Sequence, residues 1–568
     1  MPDATVIDQL LALLPERLAD ALVALAIDEH ATAAQWVATV REVLAYLGQA
    51  QQQEDIGRLV RQLMPVETLV PDIYRAWRPL VRDAVTFLST HLSPDRLVPK
   101  LVEQILLPAG TPLAQRVVIF ISQMPSLQKI GQMLARNPYL DEALRAELQQ
   151  LENAIQDIAP ATIRAEITRQ LGPQLTTYDV AVAEVPHAEA SVSVAVRFTW
   201  RHPITGQCEG GVFKVLKPYI RTYFTEELAL LQEFGTFLAA NRQKYALLHM
   251  RVSELLDDVR HHLAAEIDFP QEQANLLAAA RRYARVPGVR VPRLIPELST
   301  PTITAMTEER GVKVTEAFPT VLRRRQQLAM RLIEVLLAVP LFAPEQEAVF
   351  HADPHAGNLF CNQQTGEVIL LDWALTQHIS REERRQLVRL ILGVVLRDEA
   401  SICQALAALS ADSGVQHPAQ TATVRQLVRQ FVRRLSPWAF PGPTDVLLLL
   451  HTLVFAGLRF SPALLMLRKM LFTLDGVLYA LAPGVRKGPV IAWYLLTQGT
   501  GSVSGLSPLG PPSAAFRSPL TTWDWLALSW SAFGFSSRVW LQGMARAWDA
   551  GWQVLPHPTP QATSAPRL

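Results

Sequence analysis

The sequence predicts an α+β protein: a small β-rich lobe, a mainly helical large lobe, a helical extension before them and a helical tail after them. Three observations predict it. Between Val180 and Leu216 apolar residues alternate with polar or small ones, the period of strands. On both sides of that stretch apolar residues recur at three- and four-residue steps, the period of helices. Finally, Val349–Leu375 reads VFHADPHAGNLFCNQQTGEVILLDWAL, two acid-bearing loops around a short hairpin. The expected divisions are a helical region over 1–110, a helical extension over 111–185, a β-rich lobe with helical insertion over 186–310, a helical lobe over 311–483 and a tail over 484–568.

Composition narrows the function classes. A chain of 568 residues has room for about two to four domains. The net charge of +1 gives no global attraction to nucleic acid. Charged residues make up 18% and the mean hydropathy is +0.14, which is apolar and implies large buried or membrane-facing surfaces. Cys208, Cys361 and Cys403 are isolated, so neither a disulfide framework nor a thiolate zinc site is expected, and a reducing cytoplasmic compartment fits. The stretch MPDATVIDQLLALL has no early Lys or Arg and no small-residue cleavage site, so no signal peptide is expected. No uncharged apolar run reaches spanning length. The longest considered, Val446 to Leu458, contains His451 and reads as a buried core helix.

Taken in order, Ile7, Leu10, Leu11, Leu14, Leu18, Leu22 and Leu25 mark the first helices. Lys129-Ile-Gly-Gln132 follows; alone it is an ordinary solvated helical lysine beside a tolerated glycine. From Val180 the chain reads strand, small-residue turn (Ala188, Glu189, Ala190, Ser191), strand. Small residues in such a turn let backbone approach phosphates, although no GxGxxG is present. Thr205-Gly206 then turns into a strand carrying Lys214, with Val212 and Leu216 on the same face. A lysine on an apolar strand face needs an anionic partner, unless it lies on an edge strand. Tyr223 to Leu256 reads as long helices. In Glu266-Ile-Asp268-Phe-Pro-Gln-Glu272, Pro270 suits a first helical turn and Asp268 lies near its cap. Glu272 would face inward as the partner of Lys214. Val291-Pro292 and Ile303 to Met306 read as strands, Thr307 to Gly311 as a hinge, and Phe318 to Leu341 as a helix leading into the acid-bearing loops. Arg381 to Leu396 and Asp445 to Leu481 complete the large lobe.

Asp353 and Asn358 are spaced as in a kinase catalytic loop, where the Asp accepts a hydroxyl proton and the Asn holds magnesium. The strand Val368 to Leu371 then delivers Asp372 where a kinase keeps its second metal ligand. Triphosphate oxygens must be neutralised, so hard oxygen ligands for Mg²⁺ must converge from two adjacent loops. A zinc reading of His351, Asp353 and His355 is weaker, because no second cluster completes the site.

With these residues in view, the chain resembles the UbiB/ADCK/AarF atypical kinase family over roughly residues 125–483. KIGQ at Lys129 to Gln132 resembles its KxGQ motif, and EID at Glu266 to Asp268 its ExD motif. The His351-Ala-Asp353-Pro-His355-Ala-Gly-Asn358 loop is close to the family form, and Arg290-Val-Pro-Arg-Leu followed by Glu297-Leu-Ser-Thr also looks like it. The resemblance implies a protein-kinase-like two-lobed fold that binds ATP with Mg²⁺ and supports isoprenoid-quinone or other lipid metabolism. It implies an ion pair of Lys214 with Glu272, a catalytic base at Asp353 and metal ligands at Asn358 and Asp372. Ala188, Ala190 and Ser191 would form the phosphate-facing loop. Lys129, Gln132, Glu266 and Asp268 would belong to an extension lying over the active site.

Two positions depart from the family pattern. Glu189 puts a negative charge where phosphates would sit, and Asp372-Trp373-Ala374 lacks the glycine of that motif. Both bear on turnover more than on nucleotide binding. The competing readings are a small-molecule phosphotransferase of the aminoglycoside or choline kinase type, which shares the HxDxxxxN loop, and a non-catalytic nucleotide-binding scaffold. KIGQ and EID favour the first reading. In the tail, a Gly/Ser/Pro-rich linker, Gly499 to Ser518, precedes Trp523, Leu526, Trp530, Phe533, Trp540, Met544 and Trp548. Asp524 and Arg538 bound an uncharged run of 13 residues, too short to span a bilayer. The expectation is an amphipathic helix on a membrane surface, and so a peripheral membrane protein.

Overall fold

A computed structural model of the chain describes residues 11–483 except for 12–13, 29, 50–52, 109, 136–141, 154–157, 246–251, 344, 411–417, 436–440, 442, 457 and 459. The linker 499–518 and the tryptophan-bearing stretch 523–548 lie outside the described residues. The fold is α+β, mostly helical with small sheets. It divides into two compact units, Met1–Leu277 with Pro292–Glu308, and Ala278–Val291 with Glu309–Leu568.

The first unit begins with helices, among them Glu16–Ile27, Ala33–Gln49, Arg78–His91 and Pro94–Leu106. Leu18 and Leu22, Trp36 and Val40, and Val98 and Leu101 are buried together in one core, each pair three or four residues apart on its helix. Next comes a five-stranded antiparallel sheet of β1 (Ala181–Val182), β2 (Ala188–Glu189), β3 (Ser193–Arg201), β4 (Cys208–Leu216) and β6 (Ile303–Thr307), with β5 (Val289–Arg290) assigned to the other unit. The order is β1-β3-β4-β6, and β2 pairs with β3. Alternation decides its two faces. Phe213 and Val215 turn into a core with Ile163, Ile167 and Leu171 of the Pro160–Thr177 helix. Val212 and Lys214 take the opposite face. Gly211 is required where it stands, since a Cβ there would meet the Phe198 ring at 2.3 Å. The expected small-residue turn is shorter than its sequence suggested. Ala188 and Glu189 pair with Ala195 and Val194 as strand, so the turn is Ala190–Val192.

The second unit holds a sheet of order β5-β10-β9-β7, with β7 at Val312–Lys313, β9 at Leu359–Cys361 and β10 at Val368–Leu370. A two-stranded ladder joins β8 (Glu347–His351) to β11 (Thr376–Ser380). The strand expected at Val291-Pro292 lies earlier, at β5, because a proline cannot donate to the ladder. The helix expected from Phe318 starts at Leu322. Phe318 itself has φ +52°, outside helical geometry. That helix widens into a π turn at Glu334–Ala338 just before Pro340, whose missing N–H breaks the regular ladder. The Arg381–Leu396 helix forms where expected, with a capping box between Ser380 and Glu383.

The Pro443–Phe455 helix buries Val446, Leu449, Leu450 and Leu453 but leaves Leu448 60% exposed, so it is buried along one face only. On the following helix, Pro462–Leu481, Leu465, Phe472 and Tyr479 stand exposed seven residues apart. No helix among the described residues is long and apolar enough to cross a membrane.

Candidate active site

Lys214 and Glu272 meet in the first unit. Asp268 caps the Phe269–Tyr283 helix by accepting the Gln271 N–H at 3.0 Å, which sets Glu272 in the first turn. The Lys214 ammonium donates to Glu272 Oε1 at 2.6 Å. The lysine side chain is 15% exposed and the glutamate 3%, with the Phe269 ring beside the ammonium. This is a largely desolvated ion pair, where loss of one partner leaves a costly buried charge.

Lys129 and Glu266, the first acid of EID, form a second ion pair in the same unit. The Lys129-bearing helix, Pro125–Ala135, is held at its start by a buried carboxylate. Glu227 accepts the Ser126 N–H at 2.8 Å and a guanidinium N–H of Arg96 at 2.5 Å. Negative charge at a helix N-terminus complements its dipole. Sequence reading missed both Arg96 and Glu227, since only long-range contact relates them. The backbone of Gln132 lies in this helix, and its side chain is outside the described residues.

Glu189 is also neutralised. The expected charge facing the phosphate loop is corrected by Lys217, wholly buried and 2.9 Å from the Glu189 carboxylate. Lys217 N–H in turn donates to Val192 O at 3.0 Å, and the Tyr219 hydroxyl donates to Ser191 O at 3.3 Å. The turn carrying Ala190 and Ser191 is thus fastened to the end of β4. The stretch Val215-Leu216-Lys217-Pro218 held a readable signal, a lysine within an apolar run ending at a helix start.

In the second unit, the topology gathers Asp353, Asn358 and Asp372. Ladder partners His351 and Thr376 continue into a bond from Ala352 N to Leu375 O at 3.0 Å, which aligns the two loops. The β9–β10 hairpin ends in Leu371 N donating to Asn358 O at 2.9 Å, so Asn358 lies across from the residue before Asp372. His351 ties the loops from beneath, its Nε2 2.9 Å from Leu371 O. Complete burial lowers the His351 pKa, against the upward pull of its hydrogen bond to Leu371 and of Asp372 and Asp353. The ring is therefore a neutral strut. Among the described residues no three His, Cys, Asp or Glu side chains form a metal-binding group.

The neutral strut implies a pH dependence. A histidine whose folded pKa is lowered contributes stability above its unfolded value of about 6.5, and that stability is lost as pH falls below it. Urea midpoints measured from pH 8 to pH 5 should therefore fall more steeply for the wild type than for His351→Gln. Parallel profiles would exclude the role.

The donor set suits a hard cation. Asn358 spends its amide N–H on Asp353 O at 3.2 Å, so the amide oxygen is the atom that could ligate a cation. Asp372 has φ +54°, a left-handed conformation that Asp tolerates, and its Oδ1 accepts the Ala374 N–H at 3.1 Å. The turn's positive φ thus falls on Asp372 and not on Ala374, so this conformation does not need the missing glycine. Trp373 is buried, edge-on to His351 with ring centroids 5.0 Å apart.

Residues 150–406 match the ABC1 atypical kinase-like domain. The chain carries an ABC1 atypical kinase-like domain. Similar proteins include the probable protein kinase UbiB of Shewanella woodyi, 26% identical over 372 residues, a match covering 62% of this chain and 64% of that protein. The UbiB of Azotobacter vinelandii is 26% identical over 383 residues, covering 64% of this chain and 67% of its own length. The uncharacterized protein Rv0647c of Mycobacterium tuberculosis is 23% identical over 362 residues, covering 62% of this chain and 71% of that one. Among solved structures, the complex of Rv3197 with erythromycin from Mycobacterium tuberculosis aligns at 16% identity and a TM-score of 0.37, over 69% of this chain and 99% of that one. Lys214, Glu266, Asp268, Glu272, Asp353, Asn358 and Asp372 all fall inside the ABC1 span, whereas Lys129 and Gln132 precede it.

Proposed function

We propose that this chain binds Mg²⁺-ATP and works as an atypical kinase or ATPase of the UbiB type, supporting isoprenoid-quinone or other lipid metabolism at a membrane. The observation that carries the reading is the desolvated Lys214–Glu272 pair within an ABC1 domain. In kinases this lysine binds the α- and β-phosphates and pairs with a helical glutamate. Asp353 takes the position of the proton acceptor, and Asn358 and Asp372 would hold the metal, which supplies charge neutralisation for the phosphates. The Lys217–Glu189 pair favours this reading over a non-catalytic nucleotide-binding scaffold, because it removes the charge objection at the phosphate turn.

The test is nucleotide titration with and without Mg²⁺, on the wild type and on Asp372→Asn. The variant should lose Mg²⁺-dependent affinity by roughly tenfold or more, the factor carried by about 1.4 kcal/mol. Equal binding by both proteins at physiological magnesium would overturn the metal-ligand role. Hydrolysis with candidate lipids and small alcohols then separates a lipid-pathway enzyme from a small-molecule phosphotransferase.

Membrane association is proposed through the tail, whose tryptophans suit the bilayer interface. Exposed Leu465, Phe472 and Tyr479 lie on the last described helix before it. Arg538 and Arg546 are offset by Asp524 and Asp549, so the association should be insensitive to salt. Liposome flotation should retain the full chain and release a chain ending near Pro483. Equal flotation of both moves the membrane contact elsewhere, and flotation of neither favours a tail docked on the protein itself.

A further inference from the structure

A cavity of about 330 Å³ lies in the second unit, with Trp373 in its lining. Its inner wall is apolar and built from small groups: Ala279, Ala343, Ala348 and Pro340, with Tyr283 and Trp373. These side chains are buried, and any larger aliphatic residue in place of the alanines would fill the space. The volume falls within the usual range of small-molecule sites.

The mouth has a different chemistry. Arg281, Arg282 and Arg285 line it from the end of the Phe269–Tyr283 helix and the residues just after it. Facing them are Glu345 and Glu347. Arg282 is engaged: it pairs with Glu345 at 2.9 Å and donates to Val339 O at 2.9 Å. Yet its Nε is buried and has no hydrogen-bond partner among the described residues. A buried guanidinium N–H left without an acceptor costs free energy that an acceptor entering the cavity would recover. Glu347 lies 3.8 Å from His378. Arg281 and Arg285 are exposed and make no ion pair among the described residues, so the mouth retains positive charge. Cations at a helix C-terminus also offset the helix dipole, but that gives no reason for a space lined with alanines beneath them.

We propose that this cavity binds a small organic anion: an apolar body of up to about two fused rings seated against Trp373 and Tyr283, carrying one carboxylate, sulfonate or phosphate toward Arg281, Arg282 and Arg285. The assignment rests on the cavity and its arginines and stands apart from the nucleotide reading. Because Trp373 directly follows Asp372, an occupant would press on the loop that presents Asp372.

Calorimetric titration of the full chain without nucleotide tests it, using naphthalene-2-carboxylate, the matching cation 2-naphthylmethylammonium, and inorganic phosphate. The carboxylate should bind with one-to-one stoichiometry. The ammonium and phosphate should each bind at least about tenfold more weakly, since each lacks one half of the recognition. Arg281→Ala with Arg285→Ala, both at exposed positions, should weaken the carboxylate by a similar factor, and Ala279→Leu should abolish its binding. Absence of carboxylate binding at millimolar concentration would overturn the site. So would equal binding of the ammonium, or unchanged binding by the double arginine variant. If Ala279→Leu does not fold, the arginine variant alone decides.

Discussion

Replacing Asp353 by Asn is expected to lower turnover by about 10²–10⁴-fold, the usual contribution of a positioned general base, while nucleotide affinity stays close to that of the wild type. The substitution keeps size and shape and removes the proton acceptor. The loop itself is held by backbone bonds that the change does not touch: Asp353 O accepts the His355 N–H at 2.9 Å and the Asn358 amide at 3.2 Å. The carboxylate is 25% exposed, open to a substrate hydroxyl, with His355 Nε2 3.8 Å away. Steady-state hydrolysis beside nucleotide titration separates the two effects. A variant that turns over like the wild type removes Asp353 from the chemistry. A wild type that binds nucleotide and does not turn it over, with any lipid or alcohol tried, makes the chain a nucleotide-binding scaffold.

Lys214→Met should destabilise the protein by about 3–5 kcal/mol, the cost of stripping one partner from a buried ion pair. Glu272 is 3% exposed and cannot recover its lost partner from water. Lys214→Met combined with Glu272→Leu should regain most of that stability, because the uncompensated carboxylate is gone. Both the single and the double variant should lose nucleotide binding. Urea unfolding of wild type, singles and double closes the cycle and isolates the coupling. A single substitution costing less than about 1 kcal/mol would place the pair in the class of solvent-screened surface bridges. The expected contrast, stability recovered without recovery of binding, distinguishes a ligand-binding lysine from one kept only to neutralise a helix.

Much of this protein was settled by short-range pattern in the sequence. Alternation through Ser193–Arg201 and Cys208–Leu216 determines which face carries Lys214, because a strand's side-chain period leaves no other choice. Thr205-Gly206 and Thr365-Gly366 set the turns, and both glycines take positive φ, +66° and +75°. Asp268 and Pro270 announce a helix start, and the start places Glu272. Spacing alone brings Asn358 and Asp372 to the two ends of one hairpin.

What local pattern left open was decided by contacts between residues remote in sequence. Glu189 read as an electrostatic objection, until folding set it against a wholly buried Lys217. Ala374 read as a lost glycine, until the positive φ proved to belong to Asp372. Glu227 was not singled out from the sequence, yet it caps the helix bearing Lys129 and pairs with Arg96, 131 residues away. Arg384 is wholly buried and donates to Ala343 O at 2.6 Å and to Glu345 O, with burial lowering its pKa to about 10. For the three charged residues the physical reason is the same. Periodicity reports which side of an element faces inward, whereas a buried charge is tolerable only with a partner that tertiary packing supplies.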